Sequence, residues 1–265
     1  MKILKNLVDI LRIFLSLVIF YFIIKKIAFG WSNINTVIMV LIVYLPALFF
    51  LIFKSKYLAG HPKLLLTYKI ARILFIIWLV AVAVLFTWRW NYLNKTQSAL
   101  DKINNAKITM DDVTGTNLPP EPNKTLNDST IAGFDVNNNG IRDDVELAIF
   151  AKYPNSAKIR AGMLQYAQAL QLELTEVISE ETMIAYLHKD DAAYSCLMDG
   201  VEIYTKLSEW KDLYPAFKEK YEDIKNLVLN TETRKEKYFN IYKKYMTTYA
   251  STNDECMIDL SMLPN

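Results

Sequence analysis

Two long apolar runs without a charged residue constrain this chain more than any other feature. Residues 36–53 and 73–88 contain no Asp, Glu, Lys or Arg. Each run has about the length with which a helix crosses a hydrocarbon core of roughly 30 Å. A third run, residues 13–24, lies between Arg12 and Lys25, and it can cross a bilayer if these two basic side chains extend toward the headgroups. We therefore predict three transmembrane helices within residues 1–88.

The first apolar run also has an alternative interpretation as a signal peptide. A basic start, a short apolar region and the small residues Ala28 and Gly30 at a possible cleavage point are typical of such a peptide. Lys25 and Lys26 argue against it, because the region before a cleavage point is normally uncharged. Both interpretations place the part of the chain after residue 88 on the same side of the membrane.

The charges of the loops predict the orientation of these helices. The second connection holds five basic residues, whereas the first holds only two, Lys25 and Lys26. Basic residues tend to remain in the cytoplasm. We therefore expect the amino end and the second connection to be cytoplasmic and the large remainder of the chain to be extracytoplasmic.

The charge of the chain is divided unevenly. Residues 1–88 contain ten Lys or Arg and one acid, Asp9, whereas the other 177 residues contain 20 basic and 27 acidic residues. Such a contrast predicts two domains. The basic residues are scattered between apolar runs and do not form a polar face, which argues against a nucleic-acid partner.

Residues 89–130 are expected to connect the membrane anchor to a folded domain. Their first part continues the third helix for a few turns, and Pro119, Pro120 and Pro122 then favour an extended connector that packs at most loosely. In residues 131–265, apolar side chains recur every three or four positions, as in Trp210, Tyr214, Phe217, Tyr221, Ile224 and Val228. The sequence thus predicts an all-α fold in which the anchor is followed by a bundle of four or five helices.

The only two cysteines, Cys196 and Cys256, both lie in the domain that we expect outside the cytoplasm. A disulfide between them would close a loop of 60 residues and stabilise the fold by about 4 kcal/mol in the chain-entropy model. Two separate buried thiols are the alternative. The only histidines, His61 and His188, lie on opposite sides of the membrane in this topology. That excludes a zinc centre or a Ser-His-Asp triad that uses both.

The stretch F-D-V-N-N-N-G-I-R-D-D-V-E, residues 134–146, has the spacing of a calcium-binding loop. Gly140, at the sixth position, permits a sharp turn because glycine adopts positive φ at little cost. Calcium binds six to eight oxygens, and alternate residues of the loop can supply them. The predicted ligands are the side chains at positions one, three, five, nine and twelve and the backbone carbonyl at position seven: Asp135, Asn137, Asn139, Asp143, Glu146 and Ile141. The alternative is a metal-free Asn-Gly turn, with acids favouring the start of the next helix.

The pattern D-x-N-x-N-G-x-x-D-x-x-E resembles the calcium loops of the EF-hand, dockerin and thrombospondin type 3 families. The resemblance covers these twelve residues and implies one structural calcium ion. Two features depart from an EF-hand: residues 130–133 are a poor helix end, and the apolar residue is Ile141 at position seven, with Arg142 at position eight. Because only three ligands are charged, we expect an affinity of about 10⁻⁴–10⁻³ M, as in extracellular modules.

A wider segment, residues 119–149, is similar to part of uncharacterised bacterial envelope proteins in which this loop precedes a helical domain. The resemblance implies a protein of the bacterial inner membrane with its carboxyl-terminal domain in the periplasm. No activity is attached to it.

The leading functional hypothesis is a non-enzymatic envelope protein, because no nucleophile-base pair, phosphate loop or closed metal site is visible in the sequence. It would present its calcium-stabilised domain to an envelope protein partner, as an accessory, inhibitor or immunity-type factor. One alternative is a cell-wall or glycan hydrolase with paired carboxylates, either Glu180 with Glu181 or Asp190 with Asp191. The other is an accessory subunit of a membrane signalling or channel complex.

Overall fold

A computed structural model describes residues 62–201, 210–251 and 256–264. Its α-helices are α1 (Pro62–Asn105), α2 (Met110–Thr114), α3 (Lys124–Asp128), α4 (Asp143–Lys152), α5 (Ala157–Glu176), α6 (Glu180–Gly200), α7 (Trp210–Val228) and α8 (Glu232–Tyr245). A 3₁₀ helix, Leu260–Met262, lies near the carboxyl end. Over these described residues there is no strand, so the predicted all-α class is confirmed.

The chain divides into two compact units, Met1–Thr87 and Trp88–Asn265. The first two apolar runs, residues 13–24 and 36–53, lie outside the described residues. In the part of the chain that is described, no helix combines the length and the apolar character needed to cross a membrane.

The second unit contains a helical bundle built around α5. Sixteen of the twenty residues of α5 are buried, which is typical of a helix surrounded by others. It packs most extensively against α6 and also contacts α2, α4, α7 and α8. Five helices, α4 to α8, are described after residue 130, in agreement with the predicted bundle of four or five.

Side chains cap the starts of two bundle helices, since the first N–H groups of a helix have no partner within it. The Ser156 side chain accepts the N–H of Ile159 at the start of α5. The Thr231 side chain accepts the N–H of Arg234 at the start of α8. Pro215 lies inside α7, which continues through it.

The connecting segment packs more closely than we expected. Val113 of α2 is fully buried in the core of the bundle, and its backbone carbonyl accepts a hydrogen bond from the Arg160 guanidinium at 3.1 Å. The prolines do favour an extended course, but the apolar side chains that precede them find a place in the core. The segment is therefore part of the folded domain.

One fully buried arginine fixes the chain before the predicted calcium loop, and another lies within the loop. Arg234 of α8 donates hydrogen bonds to the carbonyls of Asn127 and Thr130, at 2.7 and 2.8 Å. Arg142, at position eight of the loop, donates to the carbonyls of Leu227 and Val228 at the end of α7. The chain before the loop and the second half of the loop are thus both tied to the bundle.

Cys196 of α6 and Cys256 form a disulfide, with their Cα atoms 4.5 Å apart. This confirms the predicted pairing. The bond joins α6 to the carboxyl-terminal segment, where the Met257 N–H also donates to the Gln165 side chain of α5 at 2.9 Å.

Candidate metal centre

The predicted loop turns sharply and leads directly into α4. Asn138 and Gly140 have φ values of 57° and 81°, in the left-handed region. Glycine reaches this region without steric cost, and asparagine tolerates it better than most residues. The turn that the sequence predicted at Gly140 is therefore present. It brings Asp143 and Glu146, in the first turn of α4, back toward the start of the loop.

Backbone N–H groups hold the first and ninth positions of the loop. The Asp135 carboxylate accepts the N–H of Asn139 at 3.1 Å and the N–H of Gly140 at 2.9 Å. One oxygen of Asp143 accepts the N–H of Val136 at 3.0 Å. The backbone of the loop thus turns around its own acidic side chains.

Three buried oxygen atoms of the loop, Asn137 Oδ1, Asp143 Oδ2 and Glu146 Oε1, have no hydrogen-bond partner among the described residues. We call them the three open oxygens. They belong to positions three, nine and twelve, all predicted ligands. A buried polar group without a partner costs about 1–3 kcal/mol, and a cation bound by these three oxygens would offset that cost.

Burial also disfavours the charges of these carboxylates. It raises the pKa of Glu146 to about 7, and the negative charges of Asp112 and Asp143 contribute to that rise. Hydrogen bonds from the Asn137 and Asn139 amides oppose it only in part. Burial raises the pKa of Asp135 and of Asp143 as well. A bound cation would reverse these shifts, because it favours the ionised carboxylates.

The other two predicted ligands are placed differently. The Asn139 side-chain oxygen accepts the N–H of Ile141 at 2.9 Å, and the Asn139 backbone carbonyl accepts the Gln168 amide of α5 at 2.5 Å. The Ile141 side chain is fully buried in the core. The apolar residue at position seven, a departure from an EF-hand, therefore anchors this loop to the bundle.

The kinds of atom that the loop offers as ligands determine which metal ion would fit it. Over the described residues, no three His, Cys, Asp or Glu side chains form a metal-binding group by themselves. The loop instead combines the carboxylates of Asp135, Asp143 and Glu146 with amide oxygens. Calcium accepts neutral oxygens as readily as carboxylates, whereas zinc prefers nitrogen and sulfur. The residues present fit calcium.

Residues outside the loop complete the site, and sequence reasoning missed them. The Asn137 amide donates to the backbone carbonyl of Asn117 at 2.9 Å and to Glu146 at 3.0 Å. The Asn139 amide donates to Asp112 at 3.2 Å. The only local signal was the pair Thr109 and Asp112, which has the spacing of a capping box and forms one at the start of α2.

The acid pairs that the sequence suggested for a hydrolase are not brought together as a catalytic pair. Glu180 and Glu181 are exposed in the first turn of α6. Asp191 accepts hydrogen bonds from the hydroxyls of Tyr249 and Ser251, at 2.9 and 2.6 Å. Asp190 lies instead near Glu173 of α5, a pairing that the sequence did not indicate.

Glu173 and Asp190 form a second group of buried acids, in the bundle. Burial raises the pKa of Glu173 to about 8 and that of Asp190 to about 6, and the Tyr186 side chain hydrogen-bonds to both carboxylates. A surface depression is lined by Ala148, Lys152, Asp223, Asn226 and Leu227. Neither Glu173 nor Asp190 belongs to it.

The chain matches no protein-family model, no curated protein and no solved structure at a significant level. Its function is therefore inferred from the geometry of its own residues.

Proposed function

We propose that this protein is a membrane-anchored envelope protein whose helical domain is stabilised by one calcium ion and binds another envelope protein. It would act there as an accessory, inhibitor or immunity-type factor. The three open oxygens carry the calcium part of the proposal, since a divalent cation would give them partners and neutralise the acids beside them. Because the loop lies between the connecting segment and α4, the ion would have a structural role.

Calcium fits the loop better than magnesium does. Magnesium requires near-ideal octahedral geometry and usually retains several waters, whereas calcium accepts six to eight protein oxygens in a flexible arrangement. Asn137, Asn139 and the carbonyl of Ile141 add neutral oxygens to three carboxylates, which supplies the larger number. With three charged ligands, the expected dissociation constant is about 10⁻⁴–10⁻³ M.

Exposed apolar side chains along α1 support the lipid bilayer as a partner. Those between Leu66 and Trp90 are 40–66% exposed: Leu66, Ile70, Ile73, Ile76, Ile77, Val80, Val84, Leu85, Phe86, Trp88 and Trp90. Exposed apolar surface on this scale is typical of a membrane or protein interaction site. The basic residues of the predicted cytoplasmic connection favour an inner-membrane anchor with the helical domain in the periplasm.

A second exposed apolar face supports the binding of a protein partner. Phe239 and Tyr242 of α8 are 67% and 51% exposed, and Met246, the residue that follows α8, is 44% exposed. Their spacing places them on one side of the helix, opposite the buried Ile241. Aromatic residues and methionine are enriched in protein interfaces.

The calcium part is tested on the full chain in detergent micelles, by calorimetric titration and by unfolding with and without calcium. We expect binding to wild type and a gain of about 1.4 kcal/mol in the free energy of unfolding at ten times the dissociation constant. Glu146→Gln should remove both effects. Glu181→Gln, another acid in the first turn of a helix, is the control and should behave as wild type. A wild type that does not bind calcium would refute this part of the proposal.

The anchor and its orientation need a separate test in cells. We expect the protein to remain with membranes after alkaline extraction, and Cys196 and Cys256 to react with a maleimide only after reduction, since disulfides form on the periplasmic side. Release without detergent would contradict the anchor. Thiols that react without reduction would contradict the periplasmic placement.

The partner surface is tested with a photo-crosslinking residue at Tyr242, with exposed Lys218 of α7 as the control position. An adduct that forms at residue 242, not at 218, and disappears in Phe239→Asp would support recognition by α8. An adduct that forms only from position 77 in α1 would instead favour the accessory subunit of a membrane complex, because the partner then engages the anchor.

A further inference from the structure

We infer that Asp112 of α2 is a positioning residue of the calcium site and supplies its fourth negative charge. This inference rests on the proposed calcium loop. It extends the site beyond the twelve-residue pattern, to a helix that begins 25 residues before the first ligand, Asp135. In this arrangement the ion joins the connecting segment to the bundle.

The Asp112 carboxylate is buried and held at both oxygens. It is 2% exposed. One oxygen, Oδ2, accepts the backbone N–H and the hydroxyl of Thr109, at 2.8 and 2.6 Å. The other, Oδ1, accepts the Asn139 amide at 3.2 Å. A capping box accounts for the first oxygen alone, so the contact with Asn139 requires a separate explanation.

That contact determines which atom of the Asn139 amide faces the loop. A carboxylate accepts hydrogen bonds and cannot donate them, so Asp112 attracts the amide nitrogen and repels the amide oxygen. The Asn139 oxygen is thereby turned toward the loop, where it accepts the N–H of Ile141 and retains a second lone pair. In the absence of Asp112, the amide could rotate and present a donor to the ion.

The same segment orients the second asparagine of the loop. The Asn137 nitrogen donates to the backbone carbonyl of Asn117, 2.9 Å away. Its oxygen is one of the three open oxygens. Residues 112 and 117 therefore each accept a hydrogen bond from the side-chain nitrogen of one predicted ligand, Asn139 and Asn137 respectively, and the Asn137 nitrogen donates to Glu146 as well, at 3.0 Å. Independent evidence for a ligand there comes from Asp143 and Glu146, which are fully buried and contribute the other two open oxygens.

Asp112 also brings its charge close to the predicted ligands. It lies near enough to Glu146 for the two negative charges to repel each other. An ion with two positive charges relieves that repulsion. As a general magnitude, a unit charge about 5 Å from a divalent ion in an aqueous dielectric changes the affinity for that ion by about tenfold.

The test compares Asp112→Asn with Asp111→Asn in the full chain, titrated with calcium and with terbium, a trivalent ion of similar size. We expect Asp112→Asn to weaken calcium binding about tenfold and terbium binding about thirtyfold, because the lost attraction scales with the charge of the ion. Asp111 is exposed on the same helix, and its variant should bind both ions within twofold of wild type.

A third variant, Thr109→Ala, separates the helix cap from the charge. It removes a capping group but retains Asp112, so the domain should become less stable while calcium affinity changes less than threefold. If Asp112→Asn binds both ions as wild type does, or loses affinity for both by the same factor, the inference is wrong. If the wild type binds neither ion, the proposed calcium loop itself fails.

Discussion

The helical domain buries acidic side chains in two regions, and the surroundings of the acids differ. In the loop, Asp143 and Glu146 are contacted by backbone N–H groups and asparagine amides, and Asp112 adds another negative charge. In the bundle, Glu173 and Asp190 are contacted by the Tyr186 hydroxyl. Within the described residues, each of these four acids has one buried oxygen that lacks a hydrogen-bond partner.

The difference shows two ways to compensate a buried carboxylate. Tyrosines from α5, α6, α7 and α8 surround the bundle acids: Tyr166, Tyr186, Tyr221 and Tyr238. Burial outweighs the Tyr186 hydrogen bond and the positive charge of Lys225, which both lower the pKa of Glu173, so a proton is the simplest compensation: with a pKa of about 8, Glu173 is mostly protonated at neutral pH. The loop acids lie in one turn with additional neutral oxygens, a set of atoms that would suit a cation. Under the proposed function, similar burial leads to a proton in one region and to a metal ion in the other.

The largest expected change in the free energy of unfolding comes from the bundle acids, Glu173 and Asp190. Glu173 has a pKa of about 8 in the folded protein and 4.5 as its ordinary value. The folded state therefore binds the extra proton between these values, and the free energy of unfolding should fall as pH rises from about 4.5 to 8. Glu173→Gln removes the titrating carboxyl group, so it should raise the free energy of unfolding at pH 8 by on the order of 3 kcal/mol. Denaturant unfolding at pH 5 to 8, in saturating calcium, measures it.

Glu180→Gln is the control for that experiment, because Glu180 is exposed and its variant should retain the pH dependence of wild type. An unchanged pH dependence in Glu173→Gln would show that the bundle acids are not compensated by a proton. The proposed contrast, a proton at the bundle acids and a cation at the loop acids, would then be wrong.

Removal of calcium should have the next largest effect. A chelator is expected to lower the free energy of unfolding of wild type by about 1–3 kcal/mol relative to 10 mM calcium. Asp143→Asn should be insensitive to the chelator, since it removes one of the open oxygens and a charge. Asp212→Asn, which changes an exposed acid in the first turn of α7, should respond as wild type. Equal responses from both variants would exclude the loop as the binding site.

Calcium affinity should rise with pH, whereas the contribution of the bundle acids to the free energy of unfolding should fall with pH. Glu146, with a pKa of about 7, must lose its proton to bind the ion, so affinity rises with pH and levels off above 7. We expect about a tenfold gain between pH 6 and 7.5. Titration calorimetry in two buffers of different ionisation enthalpy would detect the released proton. An affinity that is the same at both pH values would contradict the placement of Glu146 at the ion.

The smallest effects concern the two left-handed residues of the turn. Gly140→Ala should cost about 1 kcal/mol, because alanine is strained at a φ of 81°. Asn138→Gly, at a φ of 57°, should be neutral or slightly stabilising. Thermal unfolding in calcium compares the two variants. If Asn138→Gly is destabilised and Gly140→Ala is not, the turn does not have the left-handed φ values described above.

Local patterns predicted much of this molecule. The helical period predicted a bundle of four or five helices, and it located α7 through the apolar positions between Trp210 and Val228. The spacing of acids, asparagines and Gly140 located the loop, because each of these signals depends on residues close in sequence. Asp112 and Asn117 could not be found in this way, since they meet the loop only after α2 packs on the bundle.

Two other residues have environments in the fold that the sequence did not indicate. Arg142 departed from the EF-hand pattern at position eight, yet it is fully buried and donates to carbonyls at the end of α7. Carbonyls at the end of a helix have no partner within it, but which arginine reaches them depends on the packing. Glu173 resembles an ordinary polar residue of a helix. It is buried because α5 is surrounded by other helices, which its own sequence does not specify.

A crystal structure grown with calcium, with anomalous scattering from a lanthanide at the same site, would locate the proposed ion directly. We expect one ion within about 2.3–2.6 Å of Asn137 Oδ1, Asp143 Oδ2 and Glu146 Oε1, with the Asn139 amide nitrogen still directed at Asp112. A loop that contains no ion in saturating calcium, with water bound to these three oxygens, would contradict it.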